Sequence, residues 1–432
     1  MFVGRLGPNE LGALGVNTAL YSLAFFLFNF LASTTTPLVA TAVAAQDKDK
    51  AGQVTIQGLI LAGVLGISLL GGLVIGQDWF LGVMGADGSM LAPAKEYLVA
   101  RSFAAPAVLV VLVGTGVLRG LQDMKTPLLI TLFANAANLV LDPILIYSFD
   151  LGVRGAAVAT TAAEWLSAGA YVMVLWRERE TLGLDCSYSV AVRRAQADYL
   201  PFLQAGGTVL LRTFVLLFTK TFASSVATHL GPVNIAAHQV VAQFWLLHSL
   251  TTDSLAVSAQ SLVAVALGKG DMRQARGLSD RLLQFGIALG VFWTFFLQAA
   301  SPVLPSIFTS DGTVATAVYS IAPIATFVLP ISSAAYVYDG IFIGAKDFRF
   351  LAFSMSSAAV CVCTALFLVE PLGWGLPGVW WCQSGMLILR ASILTWRYQQ
   401  QRGPVPRQIS KPVEEGTVAV VDNEELEGSV RR

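Results

Sequence analysis

The stretch TPLLITLFANAANLVLDPILIYS, residues 126–148, is long and apolar enough to cross a bilayer, yet it holds two asparagines, an aspartate and an internal proline. A hydrocarbon core about 30 Å thick takes about 20 residues of α-helix. A carboxylate near the centre of such a helix costs roughly 2.5–3.5 kcal/mol on insertion scales, so Asp142 calls for a reason. Its spacing supplies one. Thr131, Asn135, Asn138 and Asp142 recur at intervals of 4, 3 and 4, on one helical face. That face has to meet protein or a water-filled cavity rather than lipid. Pro143 has no backbone hydrogen to donate, which leaves the carbonyl of Leu139 without its helical partner and available to a cation.

The rest of the chain agrees. Of its 432 residues, 55% are hydrophobic and 12% charged, against roughly 45–50% and 25% in soluble domains, and the mean hydropathy is +0.67. The composition predicts an all-α polytopic membrane protein embedded in a lipid bilayer. Net charge is zero, so no basic face argues for nucleic acid. The cysteines Cys186, Cys361, Cys363 and Cys382 lack metal-ligand spacing, and no nucleophile–base pair or phosphate-cradling loop points to an enzyme. Apolar runs predict eleven helices, at 10–35, 52–77, 92–121, 126–148, 155–177, 199–228, 232–265, 276–300, 314–344, 350–371 and 376–397. Alternate loops hold fourteen Lys and Arg on one side but only Arg5, Lys95, Arg101 and Arg154 on the other. The positive-inside rule assigns the first side to the cytoplasm, together with the C-terminal tail.

An internal repeat organises these helices. Leu6-Gly7-Pro8 recurs as Leu230-Gly231-Pro232, Asp87-Gly88 as Asp311-Gly312, Pro106 as Pro330, and Gly116, Gly120 and Asp123 as Gly340, Gly344 and Asp347, all at an offset of 224. Lys48 and Gln53 align with Lys269 and Gln274 at 221 if a short gap intervenes. Five helices of the first half thus mirror five of the second, and helix 199–228 has no counterpart. Two parallel six-helix halves are the expected plan, with residues 1–177 as one lobe holding five of its six helices and 199–398 as the other. A missing first helix upstream of Met1 is the corresponding expectation.

The helix after the opening stretch carries Thr160, Glu164 and Ser167 at spacings of 4 and 3. Counted at about 1.5 Å per residue from the shared outer loop, Asp142 matches Thr160 in depth and Asn138 matches Glu164. Two antiparallel helices could then present two carboxylates and several neutral oxygens in one pocket, suited to Na⁺ or H⁺. The alternative is polar glue between helices. In the second half, Gln239, Gln243, Asp253 and Gln260 form a stripe, and the preceding helix supplies Arg212 and Lys220. They could line a cavity for an anionic or polar substrate, or Arg212 and Asp253 could simply pair. His238 and His248 read as packing, and Tyr338 with Asp339 as a gate or cap.

The segments FVGRLGPNELGALGV, GVLRGLQDMKTPLLITLFANAANLVLDPILIY, GAAVATTAAE, LGPVNIAAHQVVAQFW and TTDSLAVSAQSLVA resemble the MATE (multidrug and toxic compound extrusion) family from residue 2 to about 398. The chain looks most similar to its plant and algal branch, which includes citrate and salicylate-pathway exporters. The resemblance implies a V-shaped pair of six-helix lobes exporting an organic compound against H⁺ or Na⁺, with no other cofactor. The family's Asn-x-x-x-Asp and downstream Thr map onto Asn138, Asp142 and Thr160. Relatives carry a further site carboxylate at the end of their first helix, just before the position of Met1.

The expected function is therefore a secondary antiporter, acting as a monomer on a small organic molecule, with an organic anion such as citrate or a phenolic as the candidate, in the plasma membrane or plastid envelope. A flippase of lipid-linked precursors and a truncated, non-transporting product are the rival readings. Residues 178–198 read as a cytoplasmic link and 399–432 as a polar, disordered tail.

Overall fold

The computed structural model describes residues 2–86, 88–184, 199–301, 303, 305, 311–400 and 403–406. Every regular element among them is helical. The first half contains α1 (Pro8–Phe28), α2 (Phe30–Ala44), α3 (Lys48–Ile75), α4 (Gln77–Val83), α5 (Leu91–Ser102), α6 (Ala105–Gly120), α7 (Lys125–Pro143) and α8 (Gly152–Arg177). The second contains α9 (Leu200–His229), α10 (Pro232–Gly268), α11 (Met272–Ala300), α12 (Gly312–Phe327), α13 (Leu329–Gly344), α14 (Phe348–Phe367) and α15 (Gly375–Gln399). Eight spans among the described residues are long and apolar enough to cross a membrane, or ten if each of two bent pairs is one span. All eleven predicted segments are helical, but α15, at 25 residues, is not among the spans apolar enough to qualify.

Three predicted helices are not straight. Segments 92–121 and 314–344 bend by 46° and 49° where α6 and α13 begin, each with a proline in its first turn. Proline fits there because first-turn N–H groups have no helical acceptor. The first segment, expected to end at 35, breaks at Asn29 and then continues through Pro37 to Ala44. Pro37 cannot donate to the carbonyl of Ser33, and that carbonyl accepts instead from Nε2 of Gln260, on α10, at 2.8 Å.

The repeat is visible in the packing. A Cβ added to Gly66 would meet the Cα of Pro106 at 2.5 Å, and one added to Gly290 would meet the Cα of Pro330 at the same distance. Gly116 lies against the carbonyl of Ala32, and Gly340 against that of Ala256, so only glycine lets these helices approach so closely. Each of these positions is displaced by 224 from its counterpart. The gapped pairing at 221 is corrected by the helix caps. Asp47 accepts from the Lys50 amide at 2.9 Å and Asp271 from the Gln274 amide at 2.8 Å, and Asp47 and Asp271 are again 224 apart. Identity of Lys48 with Lys269 was therefore coincidental, because cap geometry sets the register.

The halves meet on the side of the Lys- and Arg-rich loops. Besides the Gln260–Ser33 bond, the Ser261 hydroxyl donates to the carbonyl of Arg119 at 2.7 Å, and Gly268 abuts the carbonyl of Thr41. The main buried apolar cluster crosses this junction, from Leu31 and Val39 to Ala259, Val263 and Ile341. Many of the counted charges lie within helix ends rather than loops, among them Arg101 in α5, Arg119 in α6 and Arg154 in α8. Of the link, residues 178–184 are described and Leu182 is fully buried, while 185–198 lie outside the described residues. Of the tail, 401–402 and 407–432 lie outside them, and Val405 is packed, its carbonyl accepting from Arg276 at 3.0 Å.

Candidate functional site

Two polar regions stand out, one within the first half and one between the halves. In the first, α7 and α8 run side by side. Asn138 Nδ2 donates to Thr160 Oγ1 at 3.1 Å, and the threonine hydroxyl donates to the carbonyl of Ala156 at 2.9 Å. Asn138 thus meets Thr160 rather than Glu164, its expected equal in depth. The reason lies just beyond Pro143, where residues Ile144–Ser148 form a π-turn. Such a turn packs more residues into the same rise, shifting the register of everything before it.

Asp142 is half-buried, and its Oδ1 is shielded from solvent with no hydrogen-bond partner among the described residues. A buried carboxylate oxygen left so is costly, and a proton or a cation held with the Asn138 carbonyl and the Thr160 oxygen would relieve it. Those are hard oxygen donors that fit either ion. Asn135 and Thr131, one and two turns away, are exposed and lie outside this network.

Glu164 is engaged differently. Its Oε1 lies 3.6 Å from Nη2 of Arg101, which is 8% exposed and sits against the rings of Tyr21 and Phe25. Tyr97 joins this group and lies in the field of both Arg101 and Asp142. Arg101 had passed for an outer-loop charge because it stands next to the bend of a helix the sequence shows as continuous. A lone arginine inside an apolar run was itself the available signal.

The second region is a cavity of about 430 Å³ between the halves. Of the sequence candidates it brings together Gln239, Asp253, Gln260, Arg212 and Lys220, with Asp339 from the expected gate, and it adds Arg119, Asn29, Tyr336 and Trp245. Asn29, where α1 gives way to α2, and Asp253 occupy equivalent positions of the repeat. Gln243, one turn beyond Gln239 on α10, is exposed and does not line the cavity. Tyr338 is also outside it: buried at 7% exposure, it accepts a hydrogen bond from Thr395 at 3.2 Å and packs on Tyr398. The suggested Arg212–Asp253 pair does not form. Arg212 instead bonds to Asp339, which also binds Arg390 from α15. Asp253 lies in the fields of Arg119 and Arg212. His238 bonds to Ser224 at 3.2 Å and fully buried His248 to Ser333 at 2.9 Å, the packing roles expected.

A family model described as MatE matches residues 1–144 and 209–367. The chain is 36% identical over 416 residues to Protein DETOXIFICATION 44, chloroplastic, from Arabidopsis thaliana, covering 93% of this chain and 78% of that one. It is 28% identical to the DNA damage-inducible protein F of Escherichia coli, covering 93% and 87%. Among solved structures it resembles a MATE crystal structure in the bent conformation, with a TM-score of 0.83 at 22% identity over 91% of this chain and 88% of the other. An outward-facing multidrug resistance MATE transporter matches with a TM-score of 0.79 at 21% identity, with the same coverage. On this match of sequence and fold, the chain belongs to the MatE family and is a multi-pass membrane transporter rather than an enzyme.

Proposed function

We propose that the chain is a secondary antiporter that exports a small organic anion in exchange for H⁺ or Na⁺ entering at Asp142. The observation that carries this reading is the shielded, unpartnered Oδ1 of Asp142 beside the Asn138–Thr160 bond. Among the described residues that oxygen has no hydrogen-bond donor. Glu164 already faces Arg101 at 3.6 Å, so in this reading Asp142 alone takes the ion, one in each cycle.

In this reading the substrate occupies the cavity between two lobes, residues 1–177 and 199–398. Arg119, Arg212 and Lys220 outnumber Asp253 and Asp339 on its walls, which favours an anion, and Trp245, Trp380 and Tyr336 offer flat apolar surfaces to its body. A volume of 430 Å³ suits a ligand within the roughly 300–1,000 Å³ usual for small-molecule sites. The contacts on the cytoplasmic side hold the lobes closed there, and an ion at Asp142 can move that balance only by binding one arrangement better than the other. The chloroplastic relative supports a plastid envelope as the membrane, and the lobes need no second copy for the cycle.

The test is export from proteoliposomes containing the purified chain, preloaded with benzenesulfonate, an anion that stays charged and does not cross lipid unaided, under an imposed pH or Na⁺ gradient. Gradient-dependent efflux supports the reading. Efflux indifferent to both gradients, or movement of lipid alone, contradicts it.

A further inference from the structure

Asp339 is held by two arginines at once. Nη2 of Arg212 donates to its Oδ2 and Nη2 of Arg390 to its Oδ1, so each oxygen serves a different guanidinium. Asp339 and Arg390 are both 4% exposed, and Arg212 lines the cavity. Nε of each arginine is shielded from solvent and has no hydrogen-bond partner among the described residues.

This is an unbalanced arrangement. Two guanidiniums removed from water need two negative charges, and one carboxylate supplies half of that. The surroundings do not make up the difference, since Arg119 and Lys220 also line the cavity and only Asp253 is added on the acidic side. A guanidinium presents its donors as a planar fork matched to a carboxylate, and each of these forks has a buried donor unused. A merely structural ion pair would use one arginine and leave no such donors.

We propose that Arg212 and Arg390 form a carboxylate-binding site in which Asp339 is a built-in stand-in for the ligand. With the cavity empty, Asp339 divides itself between the two arginines and keeps them oriented. An entering carboxylate takes Arg212, the one that reaches the cavity, and Asp339 retreats to Arg390. Asp339 is then a positioning residue that sets affinity by competition: it weakens binding enough for release while excluding neutral molecules, which cannot displace it. The proposal deepens the reading of the cavity as the substrate site and rests on it.

The test measures binding of benzoate, and of benzyl alcohol as its neutral counterpart, to the purified full chain by calorimetry at fixed pH and salt. Asp339→Asn removes the competitor, so benzoate should bind at least tenfold tighter while benzyl alcohol does not change. Arg212→Gln should abolish the preference for benzoate. If Asp339→Asn does not fold, the double variant Asp339→Asn with Arg390→Gln, which keeps the original charge balance and leaves Arg212 free, should show the same tightening. Weaker or unchanged benzoate binding in a folded Asp339→Asn or double variant overturns the proposal. That outcome with gradient-driven export intact leaves the transport reading standing, whereas tightening without any gradient-driven export supports the site and contradicts the transport reading.

Discussion

Replacing Asp142 by Asn should uncouple the transporter without removing it from the membrane. Asn keeps the size of the side chain and fills the same half-buried space, but it takes neither a proton nor a charge-matched cation. The magnitude follows from the count of free carboxylates. Because Glu164 is paired with Arg101, one ion moves per cycle, and one pH unit supplies about 1.36 kcal/mol, or a tenfold substrate ratio at zero membrane potential. Were Glu164 a second coupling group, the ratio would be about a hundredfold. The assay is the steady-state ratio of benzenesulfonate, an anion that does not cross lipid unaided, across proteoliposomes with the potential clamped at zero and a gradient of one unit of pH or tenfold in Na⁺. Wild type should reach about tenfold under one of the two, Glu164→Gln the same, and Asp142→Asn a ratio of one. A tenfold ratio retained in Asp142→Asn refutes the site, and a hundredfold ratio in wild type refutes the stoichiometry.

Thr160→Val removes the acceptor of the 3.1 Å bond from Asn138. It should raise the ion concentration needed for half-maximal exchange by about two- to tenfold, the equivalent of one hydrogen bond, with the maximal rate kept; an unchanged ion dependence counts against Asn138 and Thr160 as site groups. Gln260→Ala removes the bond to the carbonyl of Ser33 and should shift the balance of the lobes away from cytoplasmic closure by about two- to tenfold, read as faster labelling of cysteines placed along the junction. Gly340→Ala puts a Cβ 2.0 Å from the carbonyl of Ala256 and should destabilise the fold by about 1–3 kcal/mol in a denaturation titration, whereas Gly63→Ala, inside α3 with nothing within 4 Å, should raise the midpoint, by up to about 1 kcal/mol.

What the sequence revealed follows from how membranes constrain it. Lipid tolerates so few polar groups that Asn138, Asp142 and Thr160 stand out against their apolar background, and the 224-residue offset survives at Gly116 and Gly340 because a side chain there would strike a neighbouring backbone. Bends were hidden, since the prolines that open α6 and α13 look the same in sequence as prolines within a helix. Arg101, in the last turn of α5, resembles an interfacial anchor, while Arg390 lies well inside α15, and for both only the partner on another helix, Glu164 or Asp339, reveals the buried role. The choice of Asp339 rather than Asp253 by Arg212 was likewise a matter of how α9, α13 and α15 are juxtaposed, which hydrophobic periodicity does not encode.

The claim at the centre of the account is that charge at Asp142 decides which side of the membrane the cavity faces. It is tested most directly by the distance between spin labels at Asp49→Cys and Arg273→Cys, exposed positions at the cytoplasmic ends of α3 and α11 related by the repeat, in a chain whose native cysteines are replaced. The distance distribution should change between two populations as pH or Na⁺ is varied, and Asp142→Asn should stay locked in one of them. A distribution that responds in the same way with Asn at position 142, or that responds to neither ion in the wild-type chain, would contradict it.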